Sequence, residues 1–187
     1  VTDERQLELL PWTVREAVLD DERLAHSETV FALSNGHVGV RGNLDEGEPS
    51  GIPGTYLGGF FESVPLPYAE SGYGYPEEGQ SLIDVTNGKI IRLLVDDEPL
   101  DVRHGELLSH ERVLDMRNGF LRRELTWRSP AGKRVRVCST RMVSFVHRAV
   151  MAVCYEVHAL DEPLRVVVQS VLVANEPVPE RRADPRA

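Results

Sequence analysis

The chain is poor in cysteine: Cys138 and Cys154 are the only two among 187 residues, too few for a disulfide framework. Each lies in an apolar, β-branched run, which predicts buried thiols on neighbouring strands and leaves a bridge between them open. Long apolar runs are absent as well, so no segment has the length a helix needs to cross a bilayer. The first residues are acidic and polar, unlike a secretion signal, and a cytoplasmic location is the expectation. Basic residues are outnumbered, 21 Lys and Arg against 30 Asp and Glu, for a net charge of −9. That excess opposes nucleic acid as a partner, because neutralising phosphates takes a basic face. Two local basic strips, Arg117 with Arg122 and Arg123, and Arg134 with Arg136, read as solvated strand faces.

Several chemical signatures are missing too. There is no Cys-x-x-Cys, and none of the six histidines (His26, His37, His104, His110, His147, His158) has a partner at zinc-like spacing. No serine sits in a Gly-x-Ser-x-Gly elbow, and no phosphate loop occurs. No metal ligand and no resident cofactor is therefore expected.

What remains is ordinary globular composition, with 41% apolar and 27% charged residues in a chain long enough for one domain with a real core. From residue 90 onward, period-two patterning recurs with a turn signal every ten to fifteen residues. Strands are expected at 90–95, 107–116, 120–128, 133–145, 149–159 and 164–173. Asp96-Asp97, Asn118-Gly119 and 129–132 supply turns. In 120–128, Leu121, Leu125 and Trp127 share one face and Arg122, Glu124, Thr126 and Arg128 the other. Val150 to Val153 and Val166 to Val168 are apolar on both faces, which predicts strands buried between layers. Before residue 90, strands are expected from Trp12 through Val18, from Glu28 through Leu33, and from Gly54 through Phe61. Segments 43–53 and 62–80 read as loops, and 177–187 as a polar, proline-rich tail or exposed loop. The pattern is that of an all-β protein, a large antiparallel two-sheet sandwich with little helix.

The most informative stretch is 27–42, SETVFALSNGHVGVRG, which breaks at Asn35-Gly36 and resumes with glycines flanking Arg41. Asn-Gly between apolar segments is a strong turn signal, since both residues tolerate positive φ. A second glycine-punctuated run, GTYLGGFF, opens at Gly54. Together they resemble the N-terminal domain of glycoside hydrolase family 65, the maltose, trehalose and kojibiose phosphorylases. Glu28, Phe31, Asn35, Gly36, Gly39, Arg41 and Gly42, then Gly54, Thr55, Tyr56 and Gly59, stand at positions matching the family pattern. Ser34 and His37 depart from it, standing where the family has glycine and an aromatic residue. The segment 112–123, RVLDMRNGFLRR, resembles a third family signature; Val168 to Asn175, with Gln169-Ser170 and Asn175-Glu176, resembles the close of the same region.

The resemblance implies a super-sandwich of the galactose mutarotase type that packs on an (α/α)₆ barrel. It further implies that 1–187 is the N-terminal piece of a longer enzyme, a disaccharide phosphorylase acting by inversion and dimeric as a whole. Inorganic phosphate would be co-substrate, and both the acid and the phosphate donors would lie in the barrel, so no catalytic residue is assigned here. A trehalase-like hydrolase parent and a free-standing carbohydrate-binding module stay open as alternatives. The residues singled out for substrate or domain contact are Arg41, Tyr56, Tyr73 and Tyr75, with Tyr68 nearby; the tyrosine faces match pyranose C–H surfaces. Arg41 has two readings, a contact to the barrel or sugar-site rim, or an arginine that satisfies turn carbonyls and fixes its loop; the second is preferred. Among the carboxylates, Glu62 beside Phe60-Phe61 is the best acid by context, but a solvated strand-end glutamate is the simpler reading. Glu77 and Glu78, adjacent in extended backbone, point apart.

Overall fold

A computed structural model describes residues 7–66, 72–161 and 163–174. In chain order the strands are β1 (Leu7–Leu10), β2 (Thr13–Glu16), β3 (Leu33–Ser34), β4 (Val38–Val40), β5 (Thr55–Pro65), β6 (Glu78–Asp84) and β7 (Asn87–Val95). They continue as β8 (Glu98–Pro99), β9 (Glu106–Asp115), β10 (Phe120–Arg128), β11 (Arg134–Val143), β12 (Met151–Ala159) and β13 (Val166–Val173). A 3₁₀ turn, Asp21–Arg23, leads into one short helix, α1 (Leu24–Val30).

Every strand pair is antiparallel. One layer is a six-stranded sheet in the order β1-β2-β9-β10-β11-β12; the other is divided into β3-β4-β5-β6 and β13-β7-β8. The expected sandwich is therefore present, with one layer split. Each half of the split layer builds its own core against the large sheet. Phe31, Leu33, Val38 and Val40 pack on Val14, Leu114, Leu121 and Val143. Leu93, Val95 and Leu100 pack on Leu125, Trp127, Val135 and Val137. The meander β9 to β12 follows the predicted alternation closely, because a sheet with one buried face needs a residue of fixed character every second position. The two-residue turn between β7 and β8 holds Asp96 and Asp97 at φ 48° and 72°, the geometry that suits a right-twisted hairpin.

Several local expectations are corrected. Glu28 to Val30 are helical, not extended: α1 buries Leu24, Ser27 and Glu28, spaced three and four apart on one face. The first strand is a hairpin instead, β1 and β2, with Trp12 at φ 64° in its turn; Trp12 and Val18 lie exposed. The loop expected over 62–80 is shorter, since β5 runs to Pro65 and β6 starts at Glu78. Val150 and Val166 to Val168 are exposed rather than buried between layers. β12 and β13 each end their sheet, so an apolar character on both faces did not translate into cover. Cys138 and Cys154 do lie on neighbouring strands, but Cys138 is half-buried, Cys154 exposed, and both are free thiols. Their register explains it: Cys138 faces Glu156 and Cys154 faces Thr140. Arg123 is buried, in contrast to Arg117, Arg122 and Arg136. The tail, Asn175-Glu176 and Tyr68 lie outside the described residues.

Candidate functional site

The Asn-Gly motif makes the hairpin β3–β4, with Gly36 at φ 84°. Asn35 works in two directions. Its Oδ1 accepts from the backbone N–H groups of His37 and Val38, and its Nδ2 donates to the carbonyls of Ser144 and Arg148. The motif is thereby tied to the β11–β12 connection across the sandwich.

Arg41, at the foot of this hairpin, donates from Nε to the Ile52 carbonyl (3.1 Å) and from Nη2 to the Ala25 carbonyl (2.9 Å) and Thr29 Oγ1 (2.8 Å). Three chain segments, α1, β4 and the loop before β5, are held by one guanidinium. Arg41 and Tyr56 also share the wall of an open cleft of about 350 Å³ with Ser34, His37, Val38 and Leu82. Tyr73 and Tyr75 stand elsewhere, on the β5–β6 connection, and both are exposed. Glu62 is an exposed residue of β5. Glu77 precedes β6 and Glu78 is its first residue. Of the residues singled out from sequence, then, Arg41 and Tyr56 come together and the loop tyrosines do not join them.

Gly42 follows Arg41 where the chain passes against Phe31. A Cβ there would lie 2.6 Å from the Phe31 Cβ and 2.8 Å from its carbonyl oxygen, too close for any side chain. Gly42→Ala is expected to cost about 1–3 kcal/mol, read as a lower urea midpoint at unchanged slope.

Beyond Gly42 the chain dives between the two apolar cores. Asn43, Leu44, Asp45 and Glu46 are all buried, although 43–53 reads as an exposed loop. The large sheet meets them with a polar row at one level, in register across five strands: Glu16, Arg112, Arg123, Ser139 and Tyr155. Arg112 donates from Nη2 to both Glu16 oxygens (2.9 Å each) and from Nη1 to the Gly42 carbonyl (3.0 Å), and it lies 4.9 Å from the Phe31 ring centroid. Arg123 holds Glu46 through two bonds, 2.5 and 2.8 Å. Arg141 and Ser139 donate to the two oxygens of Asp45, at 2.7 and 2.6 Å.

Three guanidiniums thus meet three carboxylates out of water. Such pairs attract strongly and cost heavily to desolvate, so their value lies in fixing a geometry more than in net stability. The charges shift accordingly. Burial works against the Asp45 carboxylate, yet Arg141 and Arg123 bring it below the usual carboxylate range. Burial likewise opposes the Arg123 charge, and Glu46 with Asp45 outweighs it. Burial lifts the Tyr155 hydroxyl above its ordinary value, and Asp45 and Glu46 add to this. On the far side of Arg123, His110 is driven down to about 3 by burial, then by Arg123 and Arg112.

This row was the feature missed from sequence. A signal existed: Arg123 has the same parity as Leu121, Leu125 and Trp127, so it had to share their inward face. Near the chain's start, Glu28 plays a matching part, its two oxygens accepting from the N–H groups of Gly51 and Ile52. The assembly is a positioning device. It pins the segment from Arg41 to Thr55 and fixes the cleft beside the hairpin.

Residues 14–187 match the glycosyl hydrolase family 65 N-terminal domain. An uncharacterized glycosyl hydrolase of Mycobacterium tuberculosis (strain ATCC 25618 / H37Rv) is 66% identical over 176 residues, covering 94% of this chain and 22% of that protein. The alpha,alpha-trehalose phosphorylase of Thermoanaerobacter brockii is 36% identical over 154 residues, covering 80% of this chain and 20% of that protein. Among solved structures, a putative kojibiose phosphorylase from human microbiome superposes with a TM-score of 0.70 at 26% identity, covering 82% of this chain and 21% of that one. The chain spans about a fifth of the length of the relatives it matches.

Proposed function

Because this chain belongs to glycosyl hydrolase family 65, as its N-terminal domain, we propose that it is the non-catalytic scaffold of an enzyme that cleaves an α-glucosidic disaccharide with inorganic phosphate. In an inverting phosphorolysis a carboxylic acid protonates the glycosidic oxygen while phosphate attacks the anomeric carbon from the opposite face. On this reading those groups come from an (α/α)₆ barrel, and the present domain packs on it, shapes the entrance to its site and takes part in a homodimer. No resident cofactor, membrane or nucleic acid enters this reading. No helix among the described residues is long and apolar enough to cross a membrane.

One observation supports this most: apolar side chains lie uncovered on strands at the margins of the split layer. Phe61 on β5 and its register partner Leu82 on β6 form one such patch, and Val166, Val168 and Leu172 on β13 another. Contiguous exposed apolar surface of this kind marks a place where more protein packs. The fixed cleft at Arg41 and Tyr56, beside the first patch, is the part of the domain suited to face a substrate entrance.

The test is an assay of the protein that carries this chain, given inorganic phosphate and trehalose, maltose or kojibiose. Release of β-glucose 1-phosphate is expected, and none from the 187-residue chain alone. Free glucose without sugar phosphate would move the assignment to a hydrolase, and turnover by the isolated chain would remove the scaffold reading. The exposed Tyr73 and Tyr75 give the carbohydrate-binding reading its support. Calorimetric titration of the isolated chain with the same sugars at millimolar concentration is expected to give no heat.

A further inference from the structure

Outside the cleft, the outer face of the large sheet carries a mixed set of donors. β11 and β12 pair so that Cys138 faces Glu156 directly, and His158 follows two residues on, on the same face and opposite Arg136. The thiol sulfur, a carboxylate oxygen and an imidazole nitrogen of these three residues all lie within 4.8 Å of one another. Around a tetrahedral zinc ion, with bonds of roughly 2.0–2.3 Å, ligand atoms are about 3.3–3.8 Å apart. Closing that gap takes about 1 Å of movement, within reach of rotamer adjustment by the two exposed side chains, Glu156 and His158.

We propose that Cys138, Glu156 and His158 form a binding site for one zinc-like divalent cation. The set of one sulfur, one nitrogen and one oxygen selects a borderline ion over the hard calcium and magnesium, which prefer oxygen alone. The fourth position falls to water or to Glu124, the register partner of Cys138 on β10. Metal entry replaces the thiol S–H by a sulfur–metal bond and releases that proton to solvent, one for each ion bound. The nearby charges balance: Arg122 and Arg136 offset Glu124 and Glu156, and the thiolate adds the charge that favours a cation. Sequence spacing could not reveal this set, because Cys138 is eighteen residues from Glu156 and only cross-strand pairing joins them. Bound metal would clip the terminal strand of the sheet to its neighbour, raising thermal stability by mass action.

The experiment uses the protein that carries this chain, reduced and freed of metal with a chelator, then titrated with Co²⁺ and Zn²⁺. Expected results are one equivalent bound, a near-ultraviolet thiolate-to-cobalt charge-transfer band that Zn²⁺ abolishes, and one proton released per ion. Cys138→Ser is expected to remove the band, and His158→Ala to weaken binding by about tenfold or more. Cys154→Ser leaves both unchanged. Since His158 is exposed, its variant keeps the fold and keeps the test decisive. Absence of the band, its survival in Cys138→Ser, or binding without proton release would overturn the proposal.

Discussion

Arg123→Met is expected to lower the unfolding free energy by about 3–5 kcal/mol, the cost of breaking a buried ion pair from one side. Arg123 is 4% exposed and is the donor of both hydrogen bonds that Glu46 receives. Asp45 keeps Arg141 and Ser139, but Arg123 Nη1 also lies 3.6 Å from it, so its surroundings lose a positive charge as well. Removing the carboxylate together with the guanidinium, in Arg123→Met/Glu46→Leu, is expected to restore most of the loss, because no lone charge is then left in the core. Urea titration of the three proteins checks this. A single variant that loses less than about 1 kcal/mol would mean that the segment after Arg41 is held by packing alone.

The second large effect is a loss of stability in mild acid. His110 is buried, and with its folded value near 3 it stays neutral in the native protein where the unfolded chain takes up a proton near 6.5. Its Nε2 accepts from Arg123 Nε at 3.4 Å, which puts the ring proton on Nδ1, a buried atom with no hydrogen-bond partner among the described residues. Protonation would add a third positive charge to Arg112 and Arg123. The folded value is depressed for a group that gains charge on protonation, so its contribution is complete above pH 6.5 and declines as pH falls. Linkage puts the loss at about 2 kcal/mol by pH 5. Asp45 does not overlap this window: its value is lowered from 3.8, so its contribution fails only in stronger acid. Urea midpoints are expected to hold from pH 7.5 to about 6.5 and to fall from there to pH 5, and in His110→Gln to stay level throughout. A level profile in the unaltered protein would refute the assignment.

The two effects share a cause, the polar row between the cores, and that row shows where sequence reading stops. Strand alternation from β9 to β12 could be read directly, because each inward position answers to a local periodicity. The turns at Asn35-Gly36 and Asp96-Asp97 could be read for the same reason, since positive φ is a demand on one residue. Of the candidate site, Arg41 and Tyr56 were legible as single residues of two glycine-punctuated motifs, but their meeting was not: it rests on the pairing of β4 with β5 across the segment 41–54, where Gly39 faces Tyr56. α1 could not: its buried Glu28 accepts from the N–H groups of Gly51 and Ile52, more than twenty residues away, a partnership that local sequence does not show. Nor could the exposure of Val166 to Val168, where composition says core and the strand's position at the edge of its sheet says otherwise.

By itself, then, the order of residues determined an antiparallel sandwich and membership in a family, because alternation, turn chemistry and motif spacing are written in neighbouring positions. Only the tertiary structure decided that an acidic loop lies inside, that Arg112, Arg123 and Arg141 receive it, and that Cys138 meets Glu156 and His158. Burial and charge pairing depend on what another part of the chain brings across the sheet, and that is a property of the packed layers.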